Sequence, residues 1–432
     1  MKLASMTSRS ATGWTAGIAA ALAAVLSVGR ILLSNSSALT DLIWAEDGMF
    51  PLCVRGHGVL SCMTDPFAGY FLFLPRVLAW PISLLPVDSW PLATNLVAAA
   101  IAAAAAAVAV LILRASGVGV VTSGLVALLP VLVPISGLEM INAVGSMYML
   151  LAFVGALALC FPPRDRFATI AYAVGALLVA LTIPSSVVLL LPLVVQLARR
   201  RIPLRGGLIT LVSLLAGLAV QAYVAVTAVD PRRIAVSTDS LREWANGVPN
   251  ALATLLPGQS ALNDDGTLTA SVSVGVVGLI VVVLVLVGGV VLIALRDKVA
   301  NGLGLLVLVG LAMGAIPALS GYANNRYFVI PVVIWTAAAL VALDHYVPGR
   351  KEIVMAVVAV VLVALWVPAL PASTFRSTAL PPWPQTIAEA RASCANDPNA
   401  TVAIVFSPAW PFADAKWYGV TSNAITCRAF EG

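Results

Sequence analysis

The chain has 432 residues, of which 61% are hydrophobic and 10% charged, with a mean hydropathy of +1.01. That balance excludes an ordinary soluble domain and predicts a polytopic membrane protein. The net charge of +5 does not point to nucleic acid, because the basic residues fall in short gaps between apolar runs. Arg outnumbers Lys 20 to 4, which reads as composition bias rather than a binding signature.

The first apolar run, from about 11 to 33, follows Lys2 and Arg9 and is interrupted near its far end by Arg30. It is too long for the core of a signal peptide and reads as a retained first helix. Further runs of spanning length fall near 90–113, 119–135, 145–161, 167–183, 185–198, 206–228, 271–295, 302–320, 328–343 and 353–368. The expected fold is therefore an all-α polytopic membrane protein of about eleven transmembrane helices. Thr182 to Ser186 reads as either a tight hairpin or a re-entrant break, since Pro and Ser suit irregular backbone that is buried or lines a cavity.

With the N-terminus taken as cytoplasmic, 13 of the 24 basic residues lie in the inner gaps and only Asp165, Asp297, Asp344 and Glu352 accompany them. Every inner gap is then basic, which orients the array. The long segments fall outside: 34–89, 229–270 and a tail from 369 to 432. The expected organisation is a membrane domain over 1–368 and an extracytoplasmic α+β cap over 369–432. In that cap, Pro384 to Ser393 reads as a helix, Thr401 to Phe406 as a strand and Tyr418 to Cys427 as a second. Gly69 to Pro86 is apolar but broken by prolines and reads as interfacial helix pieces. Cys53, Cys62, Cys394 and Cys427 would all face an oxidising compartment, and 53–62 with 394–427 is the economical pairing. Cys160 is left to packing.

Ionised groups are expensive in such a chain and tend to be functional. Trp44-Ala45-Glu46-Asp47-Gly48 places two carboxylates just past the first helix. A carboxylate there can serve as a general base on a sugar hydroxyl; the bland alternative is a solvated loop pair or a helix cap. Asn324 to Pro331 puts Arg326 at the start of a late helix, where a guanidinium suits a lipid phosphate, or simply anchors the interface together with Tyr327. Asn142 and Tyr148 lie in a short outer turn and can bond a sugar or cap helices. Arg76 is a second phosphate candidate, against the plainer reading of a snorkelling side chain. The two histidines, His57 and His345, assemble no metal site, and a divalent cation held by Glu46, Asp47 and Asp65 is not indicated by their spacing. Walker, dinucleotide and nucleophile-elbow motifs are absent.

The set resembles the GT-C superfamily of polytopic glycosyltransferases that use polyprenyl-phosphate sugars. The features are the acid pair after the first span, interfacial helices before the second, Asn142 and Tyr148, the start Arg326-Tyr327-Phe328 to Pro331 with Asn325 before it, and an outer C-terminal cap. Trp44 to Gly48 followed by Tyr70 to Arg76 is most similar to bacterial members. The resemblance implies a metal-independent, inverting transfer on the outer face of the plasma membrane. Its donor would be a polyprenyl-phosphate sugar and its acceptor a glycan or glycolipid. Asp47, or else Glu46, would be the base, with Arg326 and Arg76 on the donor phosphate. Many members carry Asp-Asp or Asp-Glu where this chain has Glu-Asp, which leaves the identity of the base open. The rival classes are a transporter or flippase of lipid-linked sugars and a non-enzymatic envelope-assembly protein. The near absence of charges within the spans and of a repeat between halves favours the transferase.

Overall fold

The computed structural model describes residues 2–34, 37–43, 45–67, 69–138, 142–162, 166–227, 244, 247–249, 251–253, 255, 275–295, 297–319, 325–347, 349–370, 382–397, 399–404 and 424–431. Lipid offers the backbone no hydrogen-bond partner, so apolar runs of this length fold as helices that satisfy their own peptide groups. Among the described residues six helices are long and apolar enough to cross a membrane: Ala11–Leu33, Val87–Ala115, Leu204–Thr227, Lys298–Ile316, Val329–Tyr346 and Lys351–Ala369. Shorter apolar helices, Val120–Leu132, Tyr148–Cys160, Thr169–Thr182, Pro184–Ala198 and Val282–Ala294, lie among them. The chain is a membrane protein built almost wholly of helices.

Close approach of small residues holds the bundle, since apolar surface alone gives helices in lipid no reason to associate. Ala16, Ala19 and Ala23 of the first helix are buried in one core with Ala102, Ala106 and Ala109 of Trp90–Ala115. Gly217 of Leu204–Thr227 faces Ala180 so closely that an added Cβ would lie 2.5 Å from the Ala180 Cβ. Gly304 meets Gly289 in the same way, an added Cβ coming 2.5 Å from the Gly289 carbonyl oxygen.

Polar ties sort the connections to two opposite ends. At one end the Gln196 side chain donates to Cys160 O (3.0 Å), Arg199 to Leu295 O (3.3 Å) and Arg201 to Asn301 Oδ1 (3.1 Å). There too the buried Asp344 accepts from Gly119 N (3.0 Å) and Thr122 Oγ1 (2.9 Å), capping the helix Val120–Leu132 from another segment. At the other end Gln221 grips Phe71 through both backbone groups, at 2.8 and 2.7 Å, and Thr182 accepts from Leu74 N at 3.4 Å. Thr182 therefore lies at the opposite end from Gln196. In the stretch between them Ile183 is extended and Pro184–Leu189 forms a 3-10 turn leading into Leu190–Ala198.

Both disulfides pair as expected, Cys53 with Cys62 and Cys394 with Cys427, while Cys160 is buried and reduced. The tail forms the helix Trp383–Asn396 and a two-stranded antiparallel ladder of Thr401–Ala403 with Ala424–Thr426. The expected strand positions 405 and 406, and those before 424, lie outside the described residues. The tail's core is continuous with the segment after the first helix: Trp383, Ile387 and Ile425 are buried with Ile43, Ile82 and Trp90. The Trp90 and Trp383 rings stack at 6.3 Å, and Trp383 Nε1 donates to Val87 O at 2.9 Å. Arg55 sits at the junction. It donates to Ser83 O (2.7 Å), Phe430 O (3.1 Å) and Leu85 O, with its guanidinium carbon 5.0 Å from the centre of the Trp90 ring. At the rim, Arg391 Nη1 bonds Asp88 at 2.9 Å.

Arg55→Ala strips three carbonyls of a charged donor, which costs about 2–3 kcal/mol. The expected result is faster hydrogen exchange in 383–396 and 425–430, with the helix Trp90–Ala115 unchanged.

Candidate functional site

The helix Ala45–His57 has Asp47 in its first turn, at the positive end of the helix, where a carboxylate is favoured. Its inner face, Gly48 and Phe50 to Val54, is buried, and Asp47 goes inside with it, only 3% exposed. Burying a carboxylate requires donors. Gly145 supplies one: its N–H donates to Asp47 Oδ1 at 2.6 Å, a short charge-assisted bond.

Gly145 belongs to the buried connection 142–147, which leads into the helix Tyr148–Cys160. Asn142 opens that turn in the left-handed region, φ 53°, where Asn is among the few tolerated side chains. Its amide Nδ2 donates to Ser27 O at 3.0 Å and its Oδ1 accepts the Ser27 hydroxyl. One turn further along the first helix, the buried Arg30 donates to Val131 O (3.2 Å), Val133 O (3.1 Å), Pro134 O and Ser136 Oγ (3.3 Å). Val131 O lies in the last turn of Val120–Leu132, where carbonyls lack partners within the helix, and the other acceptors follow directly after it. The first helix thus braces both sides of the connection.

Tyr148 is half-buried and packs with Met49 and Tyr70 around Phe50, Phe67, Leu72 and Ala79. Arg76, from the helix Phe73–Ser83, has its guanidinium carbon 5.4 Å from the centre of the Phe50 ring and is 2% exposed. Its Nη1 donates to Cys62 O at 2.7 Å and to Asp65 O, so it ties the disulfide hairpin to the interfacial helix. Burial lowers the Arg76 pKa to about 10, Asp65 and Tyr70 acting the other way, so it stays cationic at neutral pH. Asp47, Phe50, Arg76, Asn142 and Tyr148 therefore gather at one end of the bundle. Sequence spacing offers Asn142 to a sugar and Arg76 to a phosphate; the observed geometry engages the first with Ser27 and the second with backbone carbonyls.

Tyr327 is half-buried in the 3-10 turn Asn325–Phe328, which starts the helix Val329–Tyr346. That helix packs against Tyr148–Cys160. Trp44 and the side chains of Glu46, Asn325 and Arg326 lie outside what the structure describes. Among the described residues no three His, Cys, Asp or Glu side chains converge as metal ligands. Ser27, Arg30, Gly145 and Arg55 are the participants that pattern reading does not single out for a site. Arg30 alone leaves a trace, as a charge inside an apolar run.

No protein-family model matches this chain, and a search of curated proteins finds no match to it.

Arg76→Gln should loosen the segment that carries the hairpin. Losing a buried charged donor on two carbonyls costs about 2–4 kcal/mol. The expected readout is a lower melting temperature in detergent, with faster exchange in 59–65 than in 148–160.

Proposed function

We propose that this chain is a membrane glycosyltransferase of GT-C type that moves a sugar from a polyprenyl-phosphate donor to an extracytoplasmic glycan or glycolipid. The observation that carries the reading is Asp47: a carboxylate buried at one end of a membrane bundle and held by a backbone N–H. Such a group suits general-base work at the boundary between water and lipid, where a lipid-linked donor presents its phosphate.

In the proposed step the acceptor hydroxyl gives its proton to Asp47. Its oxygen forms a bond to the anomeric carbon from the face opposite the phosphate. The bond from that carbon to the phosphate oxygen breaks, and the electron pair leaves with the polyprenyl phosphate. The product has inverted configuration. Arg326, with Tyr327 and Asn325 beside it at the positive end of a late helix, is the assigned holder of the donor phosphate. We assign Arg76 to bracing instead, because of its carbonyl partners.

The orientation belongs to this proposal. The six long and five shorter apolar helices would make eleven crossings with the N-terminus cytoplasmic. Arg199, Arg201 and Lys298, at the end opposite Asp47, would then face the cytoplasm, as the positive-inside rule requires. Asp47 and the cap would face outward from the plasma membrane.

The test is transfer from a polyprenyl-phosphate sugar to candidate acceptors by the purified full-length protein. Asp47→Asn should lower kcat by about 10²- to 10⁴-fold, the usual range for a lost general base, with Glu46→Gln much milder. Full transfer by both variants would overturn the assignment.

A further inference from the structure

We propose that Ser27 and Asn142 are positioning residues for Asp47, the first helix serving as the template that fixes the carboxylate. This rests on Asp47 acting as the base. The chain of contacts is short and buried throughout. Ser27 and Asn142 are 1% and 2% exposed, and each side of the Asn142 amide bonds Ser27, one atom to its hydroxyl and one to its carbonyl. That reciprocal pair fixes the amide plane and the left-handed backbone at Asn142. Three residues later the same turn delivers Gly145 N–H to Asp47 Oδ1 at 2.6 Å. If the turn shifts by a fraction of an ångström, the bond to Asp47 lengthens with it.

The energetic logic favours a positioning role over simple glue. A buried Ser–Asn pair replaces hydrogen bonds to water at a net gain of only about 1 kcal/mol each. An Ala or Leu contact, as used throughout the rest of this interface, would hold the helices together without the cost of burying polar atoms. What the amide adds is direction. Arg30, on the same helix and three residues on from Ser27, independently secures the bundle side of the connection through Val131, Val133, Pro134 and Ser136. Ser27 is thus left with the part of the connection nearest Asp47. Asn142 accordingly supports the carboxylate rather than touching a sugar.

The experiment uses the full chain in lipid nanodiscs with two readouts: hydrogen exchange at the Gly145 amide, and steady-state sugar transfer. Ser27→Ala removes the hydroxyl, Asn142→Gly removes the amide but keeps a residue at ease with positive φ, and Ser27→Thr is the conservative rescue. Ser27→Ala and Asn142→Gly should each speed exchange at Gly145 about tenfold, the equivalent of one hydrogen bond. They should lower kcat by about ten- to a hundredfold through misplacement, with KM changed by less than about twofold. Ser27→Thr should restore both. Exchange at Gly145 unchanged in both variants would overturn the proposal, as would a loss confined to KM. If exchange responds as expected while Asp47→Asn transfers sugar like the wild type, the base assignment fails and the bracing of Asp47 stands.

Discussion

A carboxylate removed from water must be met by donors inside the protein, and in a chain this apolar those donors are scarce. The bond from Gly145 N–H to Asp47 is where that constraint is satisfied. Satisfying it requires a connection of fixed shape, so the chain between Val120–Leu132 and Tyr148–Cys160 is anchored twice on the first helix, by Arg30 and by Ser27. The first helix is therefore more than a membrane anchor: its last turns are the wall against which the site is assembled.

The same economy governs the segment after the first helix. Arg55 and Arg76 each spend a guanidinium on backbone carbonyls, one joining this segment to the cap and the other closing the disulfide hairpin. Arginine suits this work because its planar fork serves several acceptors at once and stays charged when buried. The cap has a small core, and it keeps its shape by sharing Trp90, Ile82 and Ile43 with the first segment and by the Cys394–Cys427 bridge. Helix Ala45–His57, which carries Asp47, is thus held from three sides: the bundle, the interfacial helix and the cap.

The elements differ in how far the sequence disclosed them. Apolar runs and basic gaps are local signals, and the helices fall on those runs. Both disulfides were legible because the charge alternation put four cysteines on one side. Glu46 and Asp47 stood out as adjacent charges in an apolar chain. The partners of Asp47 did not, because a glycine N–H has no side-chain signature and the Ser27–Asn142 pair joins residues far apart in the chain. Asn142 and Arg76 were visible as polar residues near the acids, but composition does not tell whether an amide or a guanidinium faces a ligand or a carbonyl. The continuity of the cap with the first segment was hidden for the same reason: Trp90 and Trp383 meet only in three dimensions.

The most direct measurement is a cryo-electron microscopy structure of the protein in nanodiscs with a polyprenyl-phosphate sugar analogue bound. The account predicts the analogue's sugar beside Asp47, its phosphate toward the Asn325–Phe328 turn, and Asp47 still bonded to Gly145. An analogue bound at the opposite end, or an Asp47 side chain turned away from Gly145 into bulk water, would contradict it.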